Sequence, residues 1–145
     1  GGGSGMGLAA AKYMPKEKII LVTGRTLAKL ERAVTELQEA GYEAYAKTCD
    51  TSVRSQVQEL AAYAAELGEI KNVIHAAGLS PAMADPEKLL RVNALGTVYI
   101  NQEFSKYMKA GSVIVDISSN SAYMIPGFLA KKRLSLWLIP TKISS

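Results

Sequence analysis

The sequence is poor in several residue types that define whole classes of protein. It contains one cysteine, Cys49, so neither an intramolecular disulfide nor a multi-cysteine metal site can form within the chain. It contains one histidine, His75, which leaves too few soft ligands for a zinc site. No apolar run approaches the roughly 18 residues of a membrane span, and the first residues lack the charged-then-apolar order of a signal peptide. These absences predict a cytoplasmic protein that binds neither metal nor membrane.

Positive charge is concentrated at the end of the chain. The sequence has 17 Lys and Arg against 13 Asp and Glu, which gives a net charge of +4. The four excess cations are Lys131, Lys132, Arg133 and Lys142. Residues 1–130 therefore carry 13 charges of each sign and have no net charge. A neutral segment without a basic stripe is a poor partner for a phosphate backbone. We therefore expect no binding to nucleic acid.

Short and long apolar patterns alternate along the chain, as they do in proteins with a parallel α/β sheet. Asp85 and Pro86 supply an N-cap and a first-turn residue for a helix that we expect to run to about Lys109. The pattern predicts an α/β protein. Its expected strands cover residues 18–23, 42–48, 72–75 and 112–118.

Glycines crowd the start of the chain and have two interpretations. The run GGGSG at residues 1–5 is typical of a flexible linker. Residues 6–11, however, have the small side chains of a helix start, and an apolar strand follows about 12 residues later, as in a βαβ unit. Glycine lets the backbone approach a pyrophosphate, and the N–H groups at a helix N-terminus bind its charge. We therefore favour a phosphate-binding loop over a linker.

Five segments, in order, resemble motifs of the short-chain dehydrogenase/reductase family. Each motif is weak alone, but the order is specific and covers about residues 1–127. In the first segment, the glycines resemble the family's Thr-Gly-x-x-x-Gly-x-Gly loop, with the Thr and the preceding strand absent. The five segments are the glycines Gly1, Gly5 and Gly7; Cys49-Asp50-Thr51; His75-Ala76-Ala77-Gly78, where the family has Asn-Asn-Ala-Gly; Asn93 within residues 91–96; and Ile117-Ser118-Ser119.

The resemblance implies an α/β Rossmann-type fold, a doubly wound parallel sheet with helices on both faces, whose first strand is missing here. It divides the chain into a partial NAD(P)-binding domain, residues 1–127, and a divergent basic and apolar tail, residues 128–145. The missing strand belongs between residues 18–23 and 72–75, so its loss leaves both with an unpaired edge at the centre of the sheet. Either strand-forming residues precede Gly1 in the natural protein, or another segment fills the slot. Residues 134–139 are the only spare apolar candidate.

The resemblance also implies a dinucleotide site. An acid after the second family strand would accept hydrogen bonds from the ribose of NAD, whereas an arginine favours the 2′-phosphate of NADP. Arg25 stands there, so NADP is favoured over NAD. The alternative is that Arg25 is only a solvated residue at a helix start. The residues expected to bind the cofactor are Gly1, Gly5, Met6 and Gly7; Arg25 and Thr26; Asp50 and Thr51; and Ala76, Ala77 and Gly78.

Two catalytic residues are implied by the resemblance. Ser119, with Ser118 as the alternative, would polarise the substrate oxygen, and Asn93 would be a link in a proton relay. The apolar surroundings of Asn93 in its helix predict a buried partner, such as ordered water. The family chemistry also needs a Tyr with a Lys four residues later, which lowers the pKa of the phenol. None of the seven tyrosines has such a lysine, and we assign no catalytic role to His75.

The sequence therefore predicts an NADP(H)-dependent oxidoreductase that transfers hydride between nicotinamide and a carbonyl or alcohol substrate. This chain alone is expected to be an inactive fragment of it. One alternative is a non-catalytic, NADP-binding or regulatory protein of the same fold, and another is an interaction module that uses the tail. Beyond the small-molecule substrate, assembly into a homo-oligomer is left open.

Overall fold

The computed structural model describes residues 1–119, over which helices and strands alternate. The predicted tail, residues 128–145, and residues 120–127 of the predicted domain lie outside the described residues. In chain order the elements are α1 (Gly5–Lys12), β1 (Ile19–Gly24), α2 (Leu27–Glu39), β2 (Glu43–Thr48), α3 (Arg54–Leu67), β3 (Asn72–His75), a helix in three segments, and β4 (Val113–Asp116). The three segments are α4 (Pro86–Leu90), a π-helical segment (Arg91–Leu95) and α5 (Gly96–Phe104).

The strands form two separate parallel ladders. β1 pairs with β2 over six residue pairs, and β3 pairs with β4 over four. No strand of residues 1–119 lies between β1 and β3. A cavity of about 420 Å³, with both strands in its walls, occupies that place. The described residues therefore show the two unpaired edges that the sequence predicts.

Alternate residues of β1 face two different layers of helices. Ile20 and Val22 pack with residues of α1 and α2, whereas Leu21 packs against a cluster from α3 and α5. Successive side chains of a strand point to opposite faces of a sheet. Helices therefore cover both faces of this sheet, as the predicted fold requires.

The helix that follows β3 begins as predicted but ends earlier. The Asp85 side chain accepts a hydrogen bond from the Lys88 N–H at 3.0 Å, and Pro86 opens the first turn. The helix ends at Phe104 instead of about Lys109, because the chain turns tightly there and the N–H of Tyr107 donates to the Phe104 carbonyl at 3.0 Å. Its π-helical segment is a feature that is frequent at functional sites.

A buried carboxylate joins α3 to α5. Glu103 is 2% exposed and accepts hydrogen bonds from Lys106 and from Nε of Arg54, the latter at 2.8 Å. The Lys106 hydrogen bond, followed by that of Arg54, holds the pKa of Glu103 below its usual value. Because each oxygen has a cationic partner, Glu103 stays ionised inside the interface between the two helices.

We expect Leu37→Ala to destabilise the protein by about 2–5 kcal/mol, because the deletion removes transfer free energy and leaves a cavity. Leu37 is fully buried between α2 and the sheet. Leu27→Ala is the matched control, since Leu27 lies on the same helix and is 52% exposed. The measurement is urea denaturation followed by circular dichroism. Equal midpoints for the two variants would contradict the packing described here.

Candidate dinucleotide-binding site

The glycine loop is held at the carboxyl ends of β1 and β3. The Gly2 N–H donates to the Thr23 carbonyl at 2.8 Å, and the Gly1 amino group reaches the same oxygen at 3.2 Å. Gly1 also lies directly against Ala76, which follows β3. Ligands of open parallel sheets bind outside the carboxyl ends of the strands. The loop therefore lies where such a sheet binds its ligand.

Close backbone contacts show which glycines the loop requires. A Cβ atom on Gly1 would lie 2.4 Å from the Ala76 carbonyl oxygen, and one on Gly7 would lie 2.2 Å from the Gly1 carbonyl oxygen. Gly5 has a φ of +57°, which favours glycine, and among residues 1–119 no neighbouring atom lies within 4 Å of its Cβ position. The loop thus has open space beside Gly5, at the N-terminus of α1. The N–H groups of this helix N-terminus adjoin that space, and binding of a diphosphate group there stays a prediction.

The sequence analysis predicts Met6 as a site residue of the loop but does not include Gly2. Met6 follows Gly5 in α1 and is 62% exposed, so its side chain is available to a bound molecule. Gly2 is absent from the motif, yet a Cβ there would lie 2.9 Å from the Thr23 nitrogen. The run of adjacent glycines is the signal by which the Gly2 requirement could have been found.

Arg25 and Thr26 form an exposed connection between β1 and α2. Arg25 lies two residues after Thr23, whose carbonyl oxygen contacts the glycine loop. The charge of Arg25 favours an anionic group at this corner of the site.

Asp50 is fixed by hydrogen bonds within the loop after β2. Its Oδ1 accepts hydrogen bonds from the N–H of Ser52 at 3.0 Å and from Oγ of Ser52 at 2.6 Å. Partial burial raises the pKa of Asp50, but the Ser52 hydrogen bonds and the charge of Arg25 outweigh this effect and leave the pKa below its usual value. Thr51 is buried, and its Oγ1 would lie 3.0 Å from a Cβ on Gly96. The Thr51 side chain therefore packs closely against the helix that contains Gly96.

Asn93 holds the turn after β3 from the π-helical segment. Its Oδ1 accepts a hydrogen bond from the Leu79 N–H, and its Nδ2 donates to the Leu79 carbonyl, both at 2.8 Å. The prediction of a buried partner for Asn93 is wrong, because the residue is exposed and its partners are the two backbone groups of Leu79. A Cβ on Gly78 would lie 3.5 Å from Oδ1 of Asn93. The amide thus fixes the turn Ala76-Ala77-Gly78.

The same helix is tied to the strand that leads to the candidate serines. Asn101 Nδ2 donates to Asp116 Oδ2 at 2.8 Å, and Asp116 stands opposite His75 in the β3–β4 ladder. Sequence reasoning missed this Asn101–Asp116 contact, because only the fold brings the two residues together. Ser118 and Ser119 follow at the carboxyl end of β4 and are both exposed. The choice of Ser119 over Ser118 stays a prediction.

His75 and Thr23 are polar residues in the lining of the cavity between β1 and β3. His75 is 6% exposed, and within residues 1–119 its Nε2 has no hydrogen-bond partner. The same is true of Thr23 Oγ1, and both residues line the cavity. Burial lowers the pKa of His75 although Asp116 raises it, so the imidazole is neutral near pH 7. A lone histidine after a strand has no distinctive sequence pattern, and its burial is visible only in the fold.

Two negative findings apply to the part of the chain that the structure describes. No helix in it combines the length and apolar character needed to cross a membrane. No group of three or more His, Cys, Asp or Glu residues in it could hold a metal ion.

One sheet edge thus brings together the glycine loop, the turn held by Asn93 and the strand that leads to the serines. A family model described as short chain dehydrogenase matches residues 1–130. The chain belongs to the short-chain dehydrogenase family. The curated short-chain dehydrogenase/reductase bsc3 of Alternaria brassicicola is 31% identical over 124 residues, which are 86% of this chain and 45% of bsc3.

Solved structures share the Rossmann-type α/β fold predicted for this chain. A variant of actinorhodin polyketide ketoreductase, determined with NADPH, is 26% identical with a TM-score of 0.74, over 93% of this chain and 57% of that one. NAD⁺-bound xylitol dehydrogenase shares the fold at 23% identity and a TM-score of 0.76, over 86% of this chain and 53% of that one. The chain therefore spans about half the length of the relatives it matches.

We expect the stability of the chain to fall as pH drops from 7 towards 5, and His75→Gln to remove most of this dependence. The pKa of His75 is lowered in the folded state, so the unfolded chain, whose histidine titrates near pH 6.5, binds the additional proton. A stability contribution that is complete above this value is thus lost as pH falls, at up to about 1.4 kcal/mol per pH unit.

The measurement is urea denaturation at several pH values, with the single histidine followed by NMR. Carboxylates with lowered pKa, such as Asp50, lose their contribution only at lower pH and do not overlap this window. Parallel pH profiles for His75→Gln and the unmodified chain would contradict the burial of a neutral imidazole.

Proposed function

We propose that this chain is the NADP(H)-binding portion of an oxidoreductase that transfers hydride between nicotinamide and a carbonyl or alcohol group. The family is one of oxidoreductases. The observation that carries the proposal is the open cradle at Gly5, bounded by Gly1 and Gly7, with the cation Arg25 on the neighbouring loop. A dinucleotide needs this combination of close backbone approach and positive potential.

The residues that would hold the dinucleotide lie along the carboxyl edge of the sheet. The N-terminus of α1 presents N–H groups to a diphosphate, and the conformation of Gly5 leaves the space for it. Asn93 stiffens the turn that would line the cleft. By region, these residues are Gly1, Gly5, Met6 and Gly7 for the diphosphate; Arg25 and Thr26 for the 2′-phosphate; Asp50 and Thr51 for the adenine; and Ala76, Ala77 and Gly78 for the cleft wall.

The charges after β1 favour NADP over NAD. No carboxylate stands in Gly24-Arg25-Thr26, so nothing in this loop repels a phosphate. The carboxylate of Asp50 belongs to the next loop and is already bound by Ser52. Solved structures of this fold include one with NADPH and one with NAD⁺, so the choice rests on the charges of this loop.

In the reaction, a bound nicotinamide would supply the hydride chemistry and Ser119 would polarise the substrate oxygen by donating a hydrogen bond. The Asn93 amide is occupied on both sides by Leu79, and its backbone carbonyl accepts a hydrogen bond from Thr97 Oγ1 at 2.9 Å. We therefore assign Asn93 a positioning role, in which it holds the turn beside the cofactor.

We expect the unmodified chain to bind NADPH more tightly than NADH and Arg25→Asp to reverse this order. The substitution replaces attraction by repulsion at the 2′-phosphate. One charged contact is worth about 1.5–3 kcal/mol, or roughly ten- to a hundred-fold in affinity, and the exposure of Arg25 places the effect towards the lower value. The measurement is fluorescence or calorimetric titration with each cofactor.

Arg32→Asp is the matched control for this experiment. It changes the net charge by the same amount at another exposed position, on α2, and should leave the ratio of the two affinities unchanged. Equal affinities of the unmodified chain for NADPH and NADH would remove Arg25 from the site.

We expect the 145-residue chain to show no oxidoreductase turnover with any carbonyl compound. General acid catalysis typically contributes about a hundred- to ten-thousand-fold, and the sequence has no Tyr-x-x-x-Lys to provide it. Lys132 cannot form the pair, because the residue four places before it is Phe128 and not a tyrosine. The assay follows NADPH oxidation with a panel of ketones.

A chain extended at both ends provides the comparison. It carries an apolar strand before Gly1 and a segment with Tyr-x-x-x-Lys after Gly127, and its control replaces that tyrosine by phenylalanine. Activity in the extended chain alone supports the proposal. Comparable turnover in the 145-residue chain would refute it, and NADPH binding with no activity in any version would favour a regulatory protein.

A further inference from the structure

Three polar residues, Asn93, Thr97 and Asn101, stand four residues apart along the helix that follows β3. Residues at this spacing lie on one side of a helix. Thr97 Oγ1 donates a hydrogen bond to the Asn93 carbonyl at 2.9 Å, and Asn101 Nδ2 donates one to the Thr97 carbonyl, also at 2.9 Å. The three residues therefore form one hydrogen-bonded series, the polar row, along that side of the helix.

The polar row makes a contact outside the helix at each of its ends. At the amino end, the Asn93 amide binds both backbone groups of Leu79, in the connection after β3. At the carboxyl end, Asn101 Nδ2 donates to Asp116 Oδ2 at 2.8 Å, and Asp116 is the last residue of β4. The row thus connects the turn after β3 with the end of β4.

The Asn101 amide is held in one orientation by its two hydrogen bonds. A carboxamide nitrogen carries two hydrogens, and here one acceptor is the Thr97 carbonyl of the same helix and the other is the Asp116 carboxylate. A hydrogen bond to a carboxylate is stronger than one between neutral groups. The two bonds therefore fix the end of β4 to a defined point on α5.

The neighbouring strand holds the end of β4 from a second side. The Ile117 N–H donates to the His75 carbonyl of β3 at 3.0 Å. The peptide unit between Asp116 and Ile117 is thus flanked by a side-chain bond to α5 and by a backbone bond to β3. Ser119 follows two residues later, and consecutive Cα atoms are about 3.8 Å apart. The position of Ser119 therefore depends on this anchored unit.

We propose that Asn101 and Asp116 are positioning residues for the reaction, because they hold the segment with Ser119 in place relative to the helix that contains Asn93. This inference rests on the proposed function, in which Ser119 polarises the substrate oxygen beside the cofactor. A displacement of about 1 Å in a reacting group can reduce a rate by roughly a hundred-fold. A bond that fixes the approach to Ser119 is therefore important to the rate even though it touches no reacting atom.

The first test compares two substitutions of Asp116 in the 145-residue chain by NMR, without cofactor. Asp116→Ala removes the acceptor of the Asn101 amide. We expect amide exchange at Ile117 to become about five-fold faster, as for the loss of one hydrogen bond, and the amide signals of Ser118 and Ser119 to shift. Asp116→Asn keeps an acceptor oxygen at the same place and should leave the exchange rate within about two-fold of the original.

Two controls separate this local effect from a general loss of stability. The Val113 N–H donates to the Lys71 carbonyl at 2.9 Å, at the other end of the same ladder, and its exchange should not change. Gln102→Ala removes an exposed amide from the same helix and should leave Ile117 unaffected. Unchanged exchange at Ile117 in Asp116→Ala would overturn the proposal, and so would equal acceleration at Val113 and Ile117.

Reciprocal exchange of the two side chains tests the pair itself. Asn101→Asp alone places two carboxylates face to face and should accelerate exchange at Ile117 as Asp116→Ala does. Adding Asp116→Asn restores an amide opposite a carboxylate, so slower exchange at Ile117 is expected in the double variant than in Asn101→Asp. Additive effects of the two substitutions would show that the side chains act independently and would overturn the proposal.

The second test measures catalysis in the chain extended at both ends. Asp116→Ala should lower kcat about ten-fold and leave the KM for NADPH within about two-fold, because the diphosphate site is not altered. Asp116→Asn should recover most of the lost kcat. An inactive extended chain would refute the proposed function, whereas an active one in which Asp116→Ala keeps its full kcat would refute the positioning role alone.

Discussion

Parallel pairing of the strands is the constraint on which the rest of the structure depends. Because β1 and β2 run in one direction, and β3 and β4 do the same, the loops after them emerge at common edges. The backbone of Gly1 and Gly2 joins the two edges, since it contacts both Thr23 and Ala76. This contact brings the glycine loop and the turn after β3 to the same edge of the sheet.

Apolar packing holds the helices on the sheet, whereas hydrogen bonds order the loops near the site. On one face of β1, apolar side chains from α1 and α2 form a cluster, and on the other face α3 and α5 form a second one. The ionised Glu103 adds a specific link between α3 and α5. Near the site, by contrast, individual hydrogen bonds fix the loops. The Asn93 amide, for example, bonds to the backbone of Leu79 after β3. Apolar packing thus sets the layers, and polar contacts set the geometry of the loops.

Sequence patterns predicted the elements well, because apolar periodicity records which faces are buried. The strand at residues 72–75 has its predicted bounds, and the other three strands differ from prediction by one or two residues at one or both ends. Asp85 caps its helix as predicted. Apolar periodicity did not predict hydrogen bonds between a side chain and backbone groups far away in the sequence. Asn93 was expected to have a buried partner such as ordered water, yet it is exposed and bonds to Leu79, 14 residues away. Periodicity cannot encode this contact, because it joins the helix to a backbone segment 14 residues earlier in the chain.

By itself the sequence determined the α/β class, the order of the elements and membership of the short-chain dehydrogenase family, since these depend on local periodicity and on short motifs in a fixed order. The tertiary structure alone decided which glycines are in backbone contact, that Glu103 is buried between two cations, and that His75 and Thr23 line one cavity. The physical reason is that such contacts join residues far apart in sequence, whose distances are set by the packing of complete layers.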